Sequence, residues 1–360
     1  MSKKRIACLT DSLSSGGAQR QLVGLACLLK NKGYDVDVVL YNDTPFYKKK
    51  LDVENINSVL VGEKYKFFRR LYCLYKYFTS QKYDVLIAYQ RIPSIIACFI
   101  RPFLKLRKLI VSERYRIQKA TLIDKIQFLL WHFSDCIVSN SYSQAEFIKN
   151  NVPQQYHKVI TITNFLDSDY FKPLPNKVII DSIRILSVGR ISPQKNILNY
   201  LRAIKVVVDA GYDIKVDWYG NTDNVEYQNK CFSLLKELNL QNIVFFNDAI
   251  SNIVEQYQTA DVFCLPSLYE GYPNVLCEAM SCGLPVLCSD VCDNGLIAED
   301  GRNGFLFDPT NYIDIAEKII KYINSDTFSK KQMGDRSRQI ALEKFSAEEF
   351  VRKYIDLINS

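Results

Sequence analysis

Histidine is almost missing from this chain. The two that occur in 360 residues, His132 and His157, are too few and too scattered to build a zinc site. Cysteine is present eleven times, an odd number, without a single C-x-x-C spacing, and Cys98, Cys136, Cys264 and Cys277 all sit inside apolar segments. That pattern excludes a disulfide framework and reads as buried thiols in a reducing compartment. No stretch reaches the ~18 uninterrupted apolar residues that a membrane-spanning helix requires. The amino terminus, Met-Ser-Lys-Lys-Arg followed by Ile-Ala-Cys-Leu-Thr, lacks the apolar core of about 7–15 residues that marks a signal peptide. It reads as the first strand of a cytoplasmic protein. A G-x-G-x-x-G turn is also lacking, which weakens any nicotinamide-cofactor reading.

What remains is ordinary for a folded protein: 48% hydrophobic and 24% charged residues, in a chain long enough for two domains with full cores. The net charge of +7 is unevenly shared, because residues 1–172 hold 27 Lys and Arg against 14 Asp and Glu, while 173–360 hold 19 against 25. A basic first half suits an anionic membrane, an acidic lipid-linked substrate or nucleic acid, and solvated surface lysines are the plain alternative. Two segments sharpen this. Lys64–Phe78 and Ile95–Lys108 interleave aromatic and basic residues at helical spacing, the pattern of a basic amphipathic helix on a bilayer. Half of those apolar faces belong to a core. Nucleic acid fits less well, since the aromatics fall on helix faces and not on a sheet platform.

Along the chain, strands are expected at 5–9, 35–40, 84–88, 108–112, 135–139, 159–161, 183–188, 214–219, 243–246, 262–265 and 286–288. Helical patterns lie between them, at about 19–30, 196–210, 226–239, 251–259, 274–282 and 310–324 among others. Alternation of this kind predicts an α/β fold with parallel, doubly wound sheets. Prolines and small polar residues in 164–176 mark a hinge. The chain therefore divides into a Rossmann-like domain over 1–172 and a second over 173–345, with a carboxyl-terminal helix near 346–359 returning to the first. A ligand cleft is expected where the sheets present their carboxyl ends.

Chemistry concentrates in Ser267-Leu-Tyr-Glu270-Gly-Tyr-Pro-Asn274-Val-Leu-Cys-Glu278. The apolar run 261–265 reads as a strand that leaves its sheet at Pro266, and a helix is expected from Asn274, a favoured cap residue. The unpaired N–H groups of the first helical turn make a ready anion site. Glu278 sits one turn in, where a carboxylate grips hydroxyls better than phosphate; the adjacent hydroxyls of a ribose suit it, and a capping or solvated glutamate is the alternative. A second strand end, Gly189-Arg190-Ile-Ser-Pro-Gln-Lys195-Asn196, brings two cations to the same sheet edge. Arginine offers a forked donor and lysine a point charge, a pairing that suits a diphosphate. Near the first strand, Gly16-Gly17 permits close backbone approach to a ligand, with a tight turn as the alternative.

Taken together, Gly16-Gly17, Gly189-Arg190 with Lys195-Asn196, and the E-x7-E pattern from Glu270 to Glu278 resemble retaining glycosyltransferases of family 4. The likeness runs end to end. Glu299-Asp-Gly-Arg-Asn-Gly304-Phe-Leu-Phe also fits, and Val111-Ser-Glu113-Arg114 is similar to a first-domain segment of members that build bacterial surface saccharides. The resemblance implies the GT-B fold, two Rossmann-like domains facing a central cleft, with the donor in the second. It implies that Arg190 and Lys195 hold the donor diphosphate and Glu270 meets the transferred sugar. Glu278 would bind the ribose, Gly189 would stand beside the donor, and the backbone of Asn274, Val275 and Leu276 would cap the phosphates. Gly16 and Gly17 would approach the donor from the first domain, and Glu113 and Arg114 would serve the acceptor. Asn247 stands where many relatives carry glycine after the strand beside the base.

The same resemblance implies no metal and no cofactor. Asp167-Ser-Asp169 has the D-x-D form but lies in the hinge and reads as turn chemistry. The expected partners are a nucleotide sugar, most simply a UDP-sugar, a lipid-diphosphate-linked saccharide of surface polysaccharide (O-antigen or capsule) assembly, and the inner face of the plasma membrane, with no nucleic acid. A nucleotide-sugar epimerase of the same fold and a non-catalytic saccharide- or nucleotide-binding subunit are the rival readings.

Overall fold

The computed structural model describes residues 4–114, 120–175, 182–250 and 252–360. Asn176, at the end of the expected hinge, and Ser251, at the start of one expected helix, lie outside the described residues. The chain forms two compact units, one of Met1–Phe165 with Ala347–Ser360 and one of Leu166–Ser346. The boundary read from the sequence at 172 falls inside the second unit. There the Leu166 N–H donates to the Phe345 carbonyl (2.9 Å), and Phe171 is buried in the second unit's core.

The first unit holds strands β1 (Arg5–Leu9), β2 (Asp35–Leu40), β3 (Asn57–Leu60), β4 (Val85–Tyr89), β5 (Lys108–Glu113), β6 (Cys136–Ser139) and β7 (Val159–Thr161), in the order β3-β2-β1-β4-β5-β6-β7. The second holds β8 (Ile183–Val188), β9 (Ile214–Tyr219), β10 (Val244–Asn247), β11 (Val262–Leu265), β12 (Val286–Ser289) and β13 (Gly304–Phe307), in the order β10-β9-β8-β11-β12-β13. Every pairing between these strands is parallel. Each unit is thus a doubly wound sheet. Alternate residues feed opposite faces: in β1, Ile6 and Cys8 join one core while Ala7 and Leu9 join the other, as the period of two demands. Helices cover both faces, so strands such as β4 (Val-Leu-Ile-Ala-Tyr) are apolar throughout.

Two edge strands, β3 and β13, are not among those expected from the sequence. β3 begins Asn-Ser and has no buried residue, and β13 is four residues long and opens on glycine, so neither carries an apolar run of usual length. A third omission is the helix Thr327–Lys344, whose buried residues are Met333, Gly334, Ser337, Ile340 and Ala341. Small and polar residues replace the usual apolar stripe because the helix lies close against its neighbour: a methyl group on Gly334 would stand 2.4 Å from the Gly283 carbonyl oxygen. The terminal helix Ala347–Asn359 sends Phe350, Val351 and Tyr354 into the core beneath helix Gly17–Asn31 of the first unit.

All eleven cysteines are free thiols, and only Cys73 and Cys292 are other than buried. Burial pushes the thiols of Cys98, Cys264 and Cys282 up to about 12, where the reactive thiolate is absent at neutral pH. Thiol titration of the native protein at pH 8 is therefore expected to find two fast groups, and denaturant to release the other nine. Fast reaction of more than two would show that the cores open readily.

Candidate functional site

The sheet of the second unit reverses its winding between β8 and β11, since β9 and β10 build outward from one and β12 and β13 from the other. In doubly wound sheets the carboxyl ends of the strands at such a switch point leave a crevice for ligands. The two loops that emerge there are Gly189–Asn196 after β8 and Pro266–Pro273 after β11. They carry Arg190, Lys195 and Glu270, and the second leads directly into the helix Asn274–Ser281 with Glu278.

Local chemistry holds the first loop. Asn196 adopts left-handed backbone geometry (φ 58°), which asparagine tolerates better than most residues. Its side-chain amide donates to the carbonyls of Pro266 (3.1 Å) and Pro309 (2.7 Å), tying the loop to the end of β11. Lys195 precedes it and turns back across Gly189, where a methyl group would meet Lys195 Cε at 2.7 Å. Only glycine leaves that path open. The Gly189 carbonyl accepts from the Trp218 indole (2.8 Å).

Lys195 Nζ donates to Glu270 Oε1 at 2.6 Å, and the two side chains are only 12% and 9% exposed. A desolvated ion pair of this kind is strong in geometry and costly to break. Gln194 completes the clamp: its carbonyl accepts from the Leu268 N–H (2.9 Å) and its amide donates to the Tyr269 carbonyl (2.9 Å). The Glu270 N–H donates to Cys292 Sγ (3.3 Å) in the loop after β12. Arg190 differs from Lys195, being solvent-exposed and paired with equally exposed Asp223 (2.9 Å). Surface pairs contribute about 0–1 kcal/mol, so the guanidinium is readily re-aimed.

Glu278 is 97% buried, its exposure being 3%, and Tyr257 OH donates to its Oε2 at 2.9 Å. The carboxylate is therefore not a solvated glutamate. The helix it sits on starts differently from the sequence expectation. Pro273 is the cap residue and Asn274 the first helical one, with no side-chain cap bond. The N–H groups of Leu276 and Cys277 turn to the Pro273 carbonyl (3.1 and 3.3 Å), because proline closes a tight first turn here. The Leu276 N–H, which the resemblance assigned to the donor phosphates, thus has a partner within the helix.

Gly16, Gly17, Glu113 and Arg114 lie in the first unit, and Asp167 and Glu299 in the second. Gly16 caps helix Gly17–Asn31 with an ordinary φ of −73°, and a methyl there would meet Gln19 Oε1 at 2.2 Å. The Gln19 side chain, which donates to Asp11 (3.1 Å), fills the space beside Gly16. Arg114 donates to Ser112 Oγ, Asn164 Oδ1, Tyr89 OH and Tyr354 OH at 2.7–2.8 Å. Glu113 is buried and accepts from Gln127 (2.8 Å) and from the Arg114 N–H (3.1 Å). These two residues tie β4, β5 and the terminal helix together. Asp167 accepts from the Asp169 and Tyr170 N–H groups (3.2 and 3.1 Å), a plain turn. Glu299 is held by Arg336 through two bonds (2.7 and 2.9 Å), and this hydrogen bonding lowers its carboxyl pKa. Tyr257, Gln194 and Cys292 escaped the sequence reading, since Gln194 and Cys292 act through contacts between loops at separate strand ends, Tyr257 acts through a contact between two helices, and none carries a periodic or motif signal.

Residues 175–340 match the family model described as glycosyl transferases group 1. An uncharacterized glycosyltransferase of Haemophilus influenzae is 24% identical over 95% of this chain and 96% of its own length. The chain is a glycosyltransferase of the GT-B fold. A second relative of this glycosyltransferase is the N-acetylgalactosamine-N,N'-diacetylbacillosaminyl-diphospho-undecaprenol 4-alpha-N-acetylgalactosaminyltransferase of Campylobacter jejuni, 25% identical over 80% of the chain and 81% of that protein. Among solved structures, Anabaena HepE in complex with UDP and glucose superposes with a TM-score of 0.87 over 99% of each chain at 19% identity, a likeness of fold.

Proposed function

We propose that this glycosyltransferase moves a hexose or N-acetylhexosamine from a UDP-sugar, with retention at the anomeric carbon as in family 4, to a lipid-diphosphate-linked saccharide of surface polysaccharide assembly. The observation that carries the reading is the convergence of two cations and two buried carboxylates at one sheet switch point. In this reading Arg190 and Lys195 neutralise the donor diphosphate and Glu278 accepts from the ribose hydroxyls. Glu270, while it keeps its bond to Lys195, accepts from hydroxyls of the transferred sugar. The bond between the anomeric carbon and the diphosphate oxygen breaks while the acceptor oxygen bonds the same face of that carbon. The acceptor proton passes to the departing phosphate. Preorganised cations stabilise the charge growing there and take the part a metal would otherwise play. Support for donor and acceptor comes from the relatives: the Campylobacter enzyme's name specifies a diphospho-undecaprenol acceptor, and HepE holds UDP and glucose. A lipid-linked acceptor places the enzyme on the inner face of the plasma membrane.

Incubation with a panel of UDP-sugars, an undecaprenyl-diphosphate saccharide and EDTA tests this. Extended glycolipid and released UDP are expected with one donor, undiminished by EDTA. Turnover that requires no acceptor would favour an epimerase, no turnover with any donor would favour a binding subunit, and loss with EDTA would overturn the metal-free claim. The Tyr257 contact adds a finer prediction. Tyr257→Phe keeps the ring and removes one net hydrogen bond, so donor affinity is expected to fall roughly 2- to 12-fold, as read by calorimetric titration with UDP.

A further inference from the structure

We propose that Cys292 is a positioning residue of the transfer reaction, its sulfur setting the backbone of Glu270 and with it the carboxylate that meets the transferred sugar. This role rests on the reading of Glu270 as the sugar contact, and it brings a third strand end, that of β12, into the site. Strands β11 and β12 are neighbours in the sheet, so the loops that follow them leave the same edge side by side. β12 ends at Ser289, and Cys292 stands shortly after it in left-handed backbone geometry (φ 57°), which is costly for a residue with a Cβ. Three bonds hold the turn. The Asp290 N–H donates to the Phe307 carbonyl (2.8 Å) and the Val291 N–H to the Ser289 carbonyl (2.9 Å). The side-chain amide of fully buried Asn294 donates to the same Ser289 carbonyl (3.0 Å).

Glu270 is thereby held from both ends. Lys195, from the loop after β8, takes its carboxylate (2.6 Å), and Cys292, from the loop after β12, takes its backbone N–H (3.3 Å). Upstream, Gln194 fixes Leu268 and Tyr269. Downstream stands Gly271, which adds no stiffness of its own. The sulfur contact therefore governs where the Glu270 backbone comes to rest. Glu278 is aligned by Tyr257 and not by this loop, so a displaced Glu270 reaches the sugar and spares the nucleotide. Cys292 is also one of the two thiols that are not buried, which makes its surroundings open to a chemical probe.

Steady-state transfer with the UDP-sugar selected by the donor panel tests the proposal. Cys292→Ala is expected to lower kcat/KM for that donor roughly 2- to 12-fold through the lost hydrogen bond, and up to about 100-fold where Glu270 drifts by about 1 Å. The inhibition constant of UDP should keep its wild-type value. Cys292→Gly removes the same acceptor but suits the left-handed turn, so its melting temperature should equal or exceed that of wild type while kcat/KM falls as in Cys292→Ala. A loss that tracked stability would not behave so. Cys292→Ser restores an acceptor and is expected to recover part of the loss. Iodoacetamide supplies a readout that needs no turnover: the thiol proton passes to buffer, and the Cys292 thiolate displaces iodide as a carbon–sulfur bond replaces the carbon–iodine bond. Alkylation of Cys292, followed by peptide mass spectrometry, should be slowed by the UDP-sugar more than by UDP. Cys73→Ser, which removes the other accessible thiol, should be inactivated as fast as wild type. Wild-type kcat/KM in both Cys292→Ala and Cys292→Gly, equal weakening of UDP and UDP-sugar, or alkylation indifferent to every UDP-sugar would overturn the proposal. Glu270→Gln separates the two claims. Unchanged donor use in that variant removes Glu270 from the sugar site and the Cys292 role with it, whereas a defect there beside wild-type behaviour of the Cys292 variants overturns the Cys292 role alone.

Discussion

Replacing Lys195 with alanine is expected to lower kcat by about 10²–10³ and to destabilise the second unit at the same time. The ammonium is held 2.6 Å from Glu270 in a mostly desolvated pair, aimed by the Gly189 path and the Asn196 anchor. It is therefore in place before any donor arrives, and a preorganised cation costs no rearrangement when diphosphate charge develops. Its loss leaves the Glu270 carboxylate buried without that partner, an imbalance worth about 3–5 kcal/mol in comparable pairs. The two effects can be told apart. A Lys195→Met, Glu270→Gln double variant removes both charges, so thermal melting should return toward wild type while turnover stays lost. Full turnover in Lys195→Ala, measured well below its melting temperature, would remove Lys195 from the chemistry.

The second large effect is expected at Glu278. Exchange for glutamine keeps the shape and keeps an oxygen for Tyr257 OH, but the charge-assisted acceptor is gone. Hydrogen bonds to a charged group contribute about 1.5–3 kcal/mol, which corresponds to a fall in UDP affinity of roughly 10- to 150-fold. A ribose-specific role makes a further demand. Wild type should prefer UDP to 2'-deoxy-UDP, and Glu278→Gln should bind the two nearly alike. Affinity for UDP unchanged in the variant, or an undiminished preference for ribose, would show that this carboxylate serves the fold instead.

The organisation of the sheets was readable because their strands, covered on both faces, are rich in apolar and β-branched residues: β2, β7, β8, β9 and β11 begin and end where the sequence places them, although Asp37, Arg184, Lys215 and Asp217 interrupt three of the runs. β3 and β13 were not readable, since edge strands need less apolar surface. The helix Thr327–Lys344 was hidden for a related reason. It packs through Gly334 and Ser337 against a neighbour that approaches closely, and close approach selects small residues that periodicity does not register. At the site, the glycine loop and the E-x7-E spacing pointed to a cation pair and two carboxylates, but spacing alone assigned Asn274 to the cap. Proline's fixed φ and the tight turn at Pro273 took that place.

Sequence by itself determined the alternation of strand and helix, the charge imbalance between the halves and the residue types that gather near β8 and β11. Those properties are local, carried by each segment's own period and composition. Tertiary structure decided the partners. Lys195 meets Glu270 across 75 positions of chain because parallel strands deliver their following loops to the same sheet edge, and Tyr257 meets Glu278 across 21 because the helices Val254–Thr259 and Asn274–Ser281 pack together. It also decided that Arg114 would be enclosed by two tyrosines and an asparagine and that Leu122 and Leu129 would face outward, since which side of a helix is buried depends on what the rest of the chain places against it.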